Sequence, residues 1–345
     1  MNQLSNLDYG VFLIYLLAVS WYGYYIYRKK LGVETDSKSF FLAEGSLTWW
    51  AIGASLIASN ISAEHFIGMS GSGFALGLAI STYEWMSAAT LIIVAVFFIP
   101  VYLKNKIYTM PQFLSQRYNE TVSLLMAIFW LLVYVFVNLT SIIYLGALAI
   151  SSISGISFLW CIAGLAVFAI LVTLGGMKVI GYTDVIQVAV LIIGGLATTY
   201  LALNMVSSHF GYGNNLLQGL KLLRQEAPTH FHMIFDKSHA YYKDLPGLAV
   251  LIGGMWVNNL NYWGCNQYIV QRALGADLKT ARSGILFAAF LKLLIPVIAV
   301  LPGIAAYVLF KEGMFQQELI NAVGVVKPDR AYPTLLNLLP AGLKG

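Results

Sequence analysis

Five side chains that can carry charge lie inside stretches that are otherwise apolar and of membrane length: Glu64, His65, Glu84, Asp184 and Lys292. Burying an ionisable group in hydrocarbon is costly, so each marks a functional site by default. Glu84 and Lys292 have opposite charge and can neutralise each other across a cavity. A carboxylate accepts hydrogen bonds from hydroxyls and an ammonium donates to them, so the pair suits a neutral, multi-hydroxyl ligand. The plainer alternative is a buried structural ion pair. The depth of both residues within spans, beside other polar groups, favours a site. Asp184 follows Tyr182-Thr183 and precedes Gln187 by one turn. It suits either a cation path or the capping of a helix start.

Two polar patches sharpen this picture. Ser59-Asn60-Ile61-Ser62-Ala63-Glu64-His65 interrupts one apolar stretch, and Asn258-Asn259-Leu260-Asn261-Tyr262 interrupts another about two hundred residues later. Lipid cannot hydrogen-bond an asparagine or a freed carbonyl, so such patches face a bundle interior or a cavity. Paired interrupted spans in the two halves of a chain are a pointer to a transporter's binding site. Unwinding at Ser59–Glu64 would free carbonyls, which are hard oxygen ligands for a small cation. A continuous helix whose Asn and Ser bond across to a neighbour serves equally well on residue chemistry alone. Tyr262 and Trp263 beside the second patch offer rings to cap the apolar face of a sugar, and Trp263 equally suits packing or an interfacial belt. Asn60-Ile61-Ser62 matches a glycosylation pattern, but at this depth the match is spurious.

The elements that must position these groups are transmembrane helices. The chain has 345 residues, 59% hydrophobic and only 10% charged, against about 25% charged in soluble domains. Thr121 to Met177 holds 57 residues without a charge, room for two spans of roughly 20 residues and a turn at Ser151–Gly155. The pattern predicts eight spans, near 8–27, 47–68, 74–103, 121–150, 155–176, 183–205, 247–264 and 284–310. Eleven basic residues fall after the odd-numbered spans up to the seventh and eight on the other side, with Lys292 inside a span. The net charge of +5 thus follows topology and does not indicate nucleic acid. The denser side is cytoplasmic by the positive-inside rule, which puts the N-terminus outside. Asp8 precedes the first span and Arg28-Lys29-Lys30 follows it, the reverse of a cleavable leader, so it reads as a permanent helix. Cys161 and Cys265 fall within spans and predict neither disulfide nor zinc site. The 206–246 loop carries four of the five histidines, and His230-Phe-His232 without a third ligand reads as solvated loop histidines. The segment from Lys311 onward reads as a polar connection. Zinc-protease, nucleophile-elbow and phosphate-loop motifs are all missing, which argues against an enzyme.

Long strings carry a resemblance over nearly the whole chain: Trp49 to Gly73, Tyr83-Glu84-Trp85-Met86-Ser87, Phe136-Val137-Asn138-Leu139-Thr140, Tyr182 to Gln187, Tyr262-Trp263-Gly264, Asn266-Gln267-Tyr268, Gln271-Arg272 and Phe290-Leu291-Lys292-Leu293. In these the chain resembles the sodium/solute symporter family, in its sugar-transporting branch. The resemblance implies an all-α polytopic membrane protein with a leucine-transporter-type inverted repeat. On that division, 1–46 hold an extra N-terminal helix and linker, 47–205 a complete first five-helix repeat, 206–246 an external loop and 247–345 the start of a partial second repeat. The chain is then read as C-terminally truncated.

The resemblance further implies sugar contacts at His65, Glu84, Ser87, Asn259 and Lys292. Asn60, Glu64, Met69, Tyr83, Tyr262 and Trp263 fall to gating and packing, with Tyr262 the inner-gate aromatic braced by Asn60. Sodium falls to the carbonyls of Ala58 and Ile61, with Asp184 on its exit route. Bacterial galactose-transporting members carry glutamine at the His65 position and animal glucose-transporting members histidine; both hydrogen-bond hydroxyls. The expected activity is sodium-coupled sugar symport by alternating access across the plasma (inner) membrane. Sodium is the coupling ion and no organic cofactor is needed. The partners are sugar, sodium and lipid, with a homo-oligomer left open. Another solute such as proline or a sialic acid, and a truncated non-transporting protein, stand as the rival readings.

Overall fold

The computed structural model describes residues 5–30, 47–61, 63–173, 176–245, 247–321 and 323–343. Expectations that rest on Ser62, on the 31–46 linker and on the side chain of Glu64 lie outside the described residues. Helix dominates: α1 (Asn6–Lys30), α2 (Trp49–Asn60), α3 (Ala63–Leu76), α4 (Thr82–Ile93), α5 (Met110–Arg117), α6 (Glu120–Leu132), α7 (Thr140–Ser154), α8 (Phe158–Thr173), α9 (Gly176–His209), α10 (Leu216–Glu226), α11 (Gly254–Leu260), α12 (Gln267–Leu274), α13 (Leu278–Lys311) and α14 (Ala331–Leu336). Wider π-turns at Val94–Phe98, Val133–Leu139 and Asn261–Cys265 extend α4, join α6 to α7 and follow α11.

Eight spans were expected; among the described residues five helical runs are long and apolar enough to cross a membrane. The difference has local causes. The 247–264 stretch is cut at Gly253, and α8 is a shorter apolar helix. The 47–68 stretch is cut after Asn60, where Ile61 turns extended at φ −88°, ψ 127°. This decides the question that residue chemistry left open: the second span is broken. The run from His65 to Lys104 is not one rod either. Gly77, at φ +74°, and the 3-10 turn Gly77–Ser81 separate α3 from α4, so α3 runs on to Leu76. The turn expected at Ser151–Gly155 is present, with left-handed Gly155 ending α7.

The bundle is built around α13, which packs on α2, α3, α4 and α9. Close approach requires small residues at the crossings. A Cβ on Gly303 would stand 2.1 Å from the Ser70 carbonyl oxygen, and one on Gly53 2.7 Å from that of Gly284. Asp277 starts α13 by accepting hydrogen bonds from the backbone N–H groups of Lys279 and Thr280. Pro296 and Pro302 lie inside the helix, each removing one ladder donor. Thr199 of α9 donates to the Val297 carbonyl in this stretch, at 2.9 Å. By contrast α6, α7, α8 and the π-turn between the first two turn exposed apolar side chains outward, among them Phe136, Leu159 and Trp160, as lipid-facing helices do.

A loop whose histidines were expected to be solvated and a segment read as a polar connection are both docked. The loop after α9 forms α10, whose Leu222 and Leu223 join the core. His230 is buried: its Nε2 lies 2.9 Å from the Phe74 carbonyl oxygen and its ring stacks on Tyr307 at 3.9 Å. The apolar pocket formed by Phe74, Tyr307 and the Gly77 turn is not visible in a His-x-His spacing. The segment beyond α13 folds back as well. Tyr332 and Leu335 of α14 are buried against α3 and α13, and the backbone N–H of Gly342 donates to Asp8 at 2.6 Å.

Candidate functional site

The cut after Asn60 places the end of α2, the start of α3, the first turns of α4, the middle of α13 and the end of α11 around one cavity of about 360 Å³. That volume is in the range of small-molecule sites, roughly 300–1,000 Å³. His65, Met69, Tyr83, Glu84, Ser87, Asn259, Tyr262, Trp263, Asn60 and Lys292 all line it, joined by Ile80 and Asn258. Ten of the expected site residues, from both interrupted spans and from α4 and α13, therefore meet.

Lys292 is the centre. Its Nζ donates to Glu84 Oε2 at 2.5 Å and to Asn60 Oδ1, and lies 5.3 Å from the Trp263 ring. The other carboxylate oxygen of Glu84 is 3.5 Å from His65 Nε2. Lys292 and Glu84 are 1% and 3% exposed, so their charges are balanced by each other and not by water. Asn60 Nδ2 donates to the Tyr262 hydroxyl at 3.1 Å. Ser87 donates to Asn259 Oδ1 at 2.7 Å, and Asn259 Nδ2 donates to the Met255 carbonyl at 2.9 Å. The Tyr262 and Trp263 rings meet edge to face, 5.0 Å apart. The lining thus offers a carboxylate, an ammonium, amides, an imidazole and hydroxyls beside aromatic faces, a set matched to a neutral ring bearing several hydroxyls.

Ala58 and Ile61 lie outside the cavity lining, in the last turn of α2 and its cap. The last four carbonyls of a helix lack intrahelical partners, so this end presents oxygen atoms as a continuous helix would not. Among the described residues no cluster of three or more His, Cys, Asp or Glu side chains is placed to hold a metal. Asp184 is also outside the cavity, and it is not a cap: α9 begins at Gly176. Its carboxylate accepts from Ser55 Oγ at 2.5 Å, and Ser55 Oγ accepts from Arg272 Nε at 2.8 Å. Sequence reasoning missed Ser55, which in an apolar helix reads as a small packing residue.

A family model, Sodium:solute symporter family, matches residues 40–345. The chain belongs to the sodium:solute symporter family. Among the relatives of this family member, a sodium/glucose cotransporter of Vibrio parahaemolyticus is 48% identical over all of this chain and 64% of its own length. A human sodium/myo-inositol cotransporter 2 is 34% identical over 98% of this chain and 52% of its own. The chain thus spans between about half and two thirds of the length of these relatives. A solved Na+-coupled sialic acid symporter in a substrate-bound outward-open state superimposes with a TM-score of 0.83, covering 99% of this chain and 68% of that one at 21% identity. At that identity the likeness concerns the fold alone, which is the leucine-transporter-type inverted repeat of membrane-embedded symporters.

Proposed function

We propose that this chain carries the sugar site and the broken, cation-binding helix of a sodium-driven sugar symporter. The observation that carries the reading is the Lys292–Glu84 pair, buried and mutually neutralised in a cavity at the cut in α2. Glucose and myo-inositol, named for two relatives, are both uncharged rings bearing hydroxyls, the ligand class such a lining suits. His65, Glu84, Ser87, Asn259 and Lys292 bind hydroxyls. Met69, Tyr83 and Trp263 pack round the ring, and Tyr262, held by Asn60, closes the inner side. Glu64 serves the gate at the start of α3.

Sodium sits at the carbonyls of Ala58 and Ile61 and leaves past Asp184. By ordering the end of α2 it positions Asn60 and so raises sugar affinity, a coupling free energy between two sites. One sodium crossing 100 mV supplies about 2.3 kcal/mol, enough for about fiftyfold sugar accumulation. The basic-residue bias supports an N-terminus outside, in a plasma membrane. The repeat division stays 47–205 for the first and 247 onward for the second. The cycle moves solute between compartments and involves no chemical conversion.

Equilibrium binding tests this, using labelled glucose, galactose and myo-inositol with sodium and then with choline. Proline and a sialic acid serve as unlabelled competitors. Sodium-dependent hexose or inositol binding, unaffected by proline and sialic acid, is expected. Displacement by the anion or by proline would replace the sugar with another solute.

A further inference from the structure

Ser55 is fully buried in α2, five residues before Asn60, which is about 7.5 Å along a helix. Its single hydroxyl holds two groups on two other elements: it donates to Asp184 of α9 and accepts from Arg272 of α12. A hydroxyl has one proton, so this direction is forced: a carboxylate can only accept and a guanidinium can only donate. The Ser55 carbonyl in turn accepts from Ser59 Oγ, one turn nearer the break. At its other end α12 is held just as firmly. Tyr102 donates to the Gly264 carbonyl at 2.8 Å, Tyr134 to Asn266 Oδ1 at 2.7 Å, and the Met110 backbone N–H to Gln267 Oε1 at 2.6 Å. The segment 264–272 therefore continues directly from Tyr262 and Trp263 and is anchored at its far end on α2 through Ser55.

We infer that Ser55 is a positioning residue that transmits the state of the α2 break to the sugar-facing limb of α11 and α12. It touches neither cavity nor break. It links the helix turn that ends in Ala58, Asn60 and Ile61 to the segment that orients Asn259 and Tyr262. The inference rests on the sodium-coupled sugar reading. Alanine at 55 removes the bonds to α9 and α12 in one step while leaving helix propensity and packing volume almost unchanged.

The test is the coupling factor, the ratio of sugar dissociation constants without and with saturating sodium, measured by Trp fluorescence on the intact protein in nanodiscs. Coupling factors of about 5–150 are typical. Ser55→Ala is expected to bring the factor to within about twofold of 1, with sugar affinity in sodium-free buffer unchanged. A purely structural role would instead weaken sugar binding equally in both buffers. Arg272→Lys, which keeps the charge but loses the guanidinium fork, reports on the same link and is expected to lower the factor likewise. An unchanged factor in a folded Ser55→Ala protein overturns the inference and leaves the sugar–sodium reading standing. Should Ser55→Ala not fold, an unchanged factor in Arg272→Lys does the same. A wild-type factor of 1 refutes the reading, and the inference with it.

Discussion

Lys292 and Glu84 allow a structural ion pair to be separated from a binding site. Neither side chain has appreciable contact with water. Removing one member of a buried pair costs about 3–5 kcal/mol, because the remaining charge is left uncompensated, whereas replacing both by neutral groups of similar size is often neutral or stabilising. The two single losses are unequal here. Without Lys292, Glu84 keeps His65 at 3.5 Å; without Glu84, Lys292 keeps only the Asn60 amide oxygen and the Trp263 ring among its contacts described above. Glu84→Gln should therefore be the more damaging single change, near the top of that range, and Lys292→Met near the bottom. The double variant should recover to within about 1 kcal/mol of wild type. Thermal unfolding of all four proteins in one detergent, followed by intrinsic fluorescence, reads the stability order. Equilibrium sugar binding on the same samples reads function. The expected double variant is stable and does not bind. Sugar binding of undiminished affinity in the double variant would make the pair structural and refute the site. Single variants as stable as wild type would refute the burial argument.

Three further outcomes are expected. Tyr262→Phe keeps the ring but removes the acceptor for Asn60; a hydrogen bond of about 1 kcal/mol corresponds to about fivefold faster sugar release in stopped-flow measurements, with little change in association. Gly303→Ala drives a Cβ into the Ser70 carbonyl; the helices must separate, and a loss of about 1–3 kcal/mol should appear as reduced monodisperse yield on size exclusion. Burial holds the His230 imidazole below its ordinary pKa of 6.5, so the folded state resists a proton that the unfolded segment takes up. The docked 216–235 segment should thus keep its full stability above about pH 6.5 and lose it as pH falls below that value, seen as faster amide exchange; His230→Gln should flatten the dependence.

Much of the candidate site was legible because it breaks rules that lipid enforces. An asparagine pair or a lysine in hydrocarbon has few explanations, so the two patches and Glu84, Asp184 and Lys292 stand out against an apolar background. The break in α2 was half legible: the patch located it, but only the backbone at Ile61 distinguishes unwinding from a polar continuous helix. What stayed hidden obeys ordinary rules. Ser55 looks like any small residue at a helix crossing. His230 and Tyr332 lie in segments polar enough on average to read as solvated, and only tertiary packing against Phe74, Tyr307 and Phe66 buries them. The expected spans left 69–73 between them, yet Gly71 and Gly73 lie inside α3. Their role is close approach, to Asp329 and Val300, and the chain turns instead at Gly77.

The 208-residue separation of Glu84 and Lys292 also bears on biogenesis. At about 5–20 residues per second, a ribosome needs roughly 10–40 s between making the two. For that interval the carboxylate lies in a nascent bundle without its cation, at an insertion cost of about 2.5–3.5 kcal/mol for a lone charge at mid-bilayer. His65, emerging shortly before Glu84, is the partner already present. Lys292 brings the missing cation on α13, the helix that packs on α2, α3, α4 and α9.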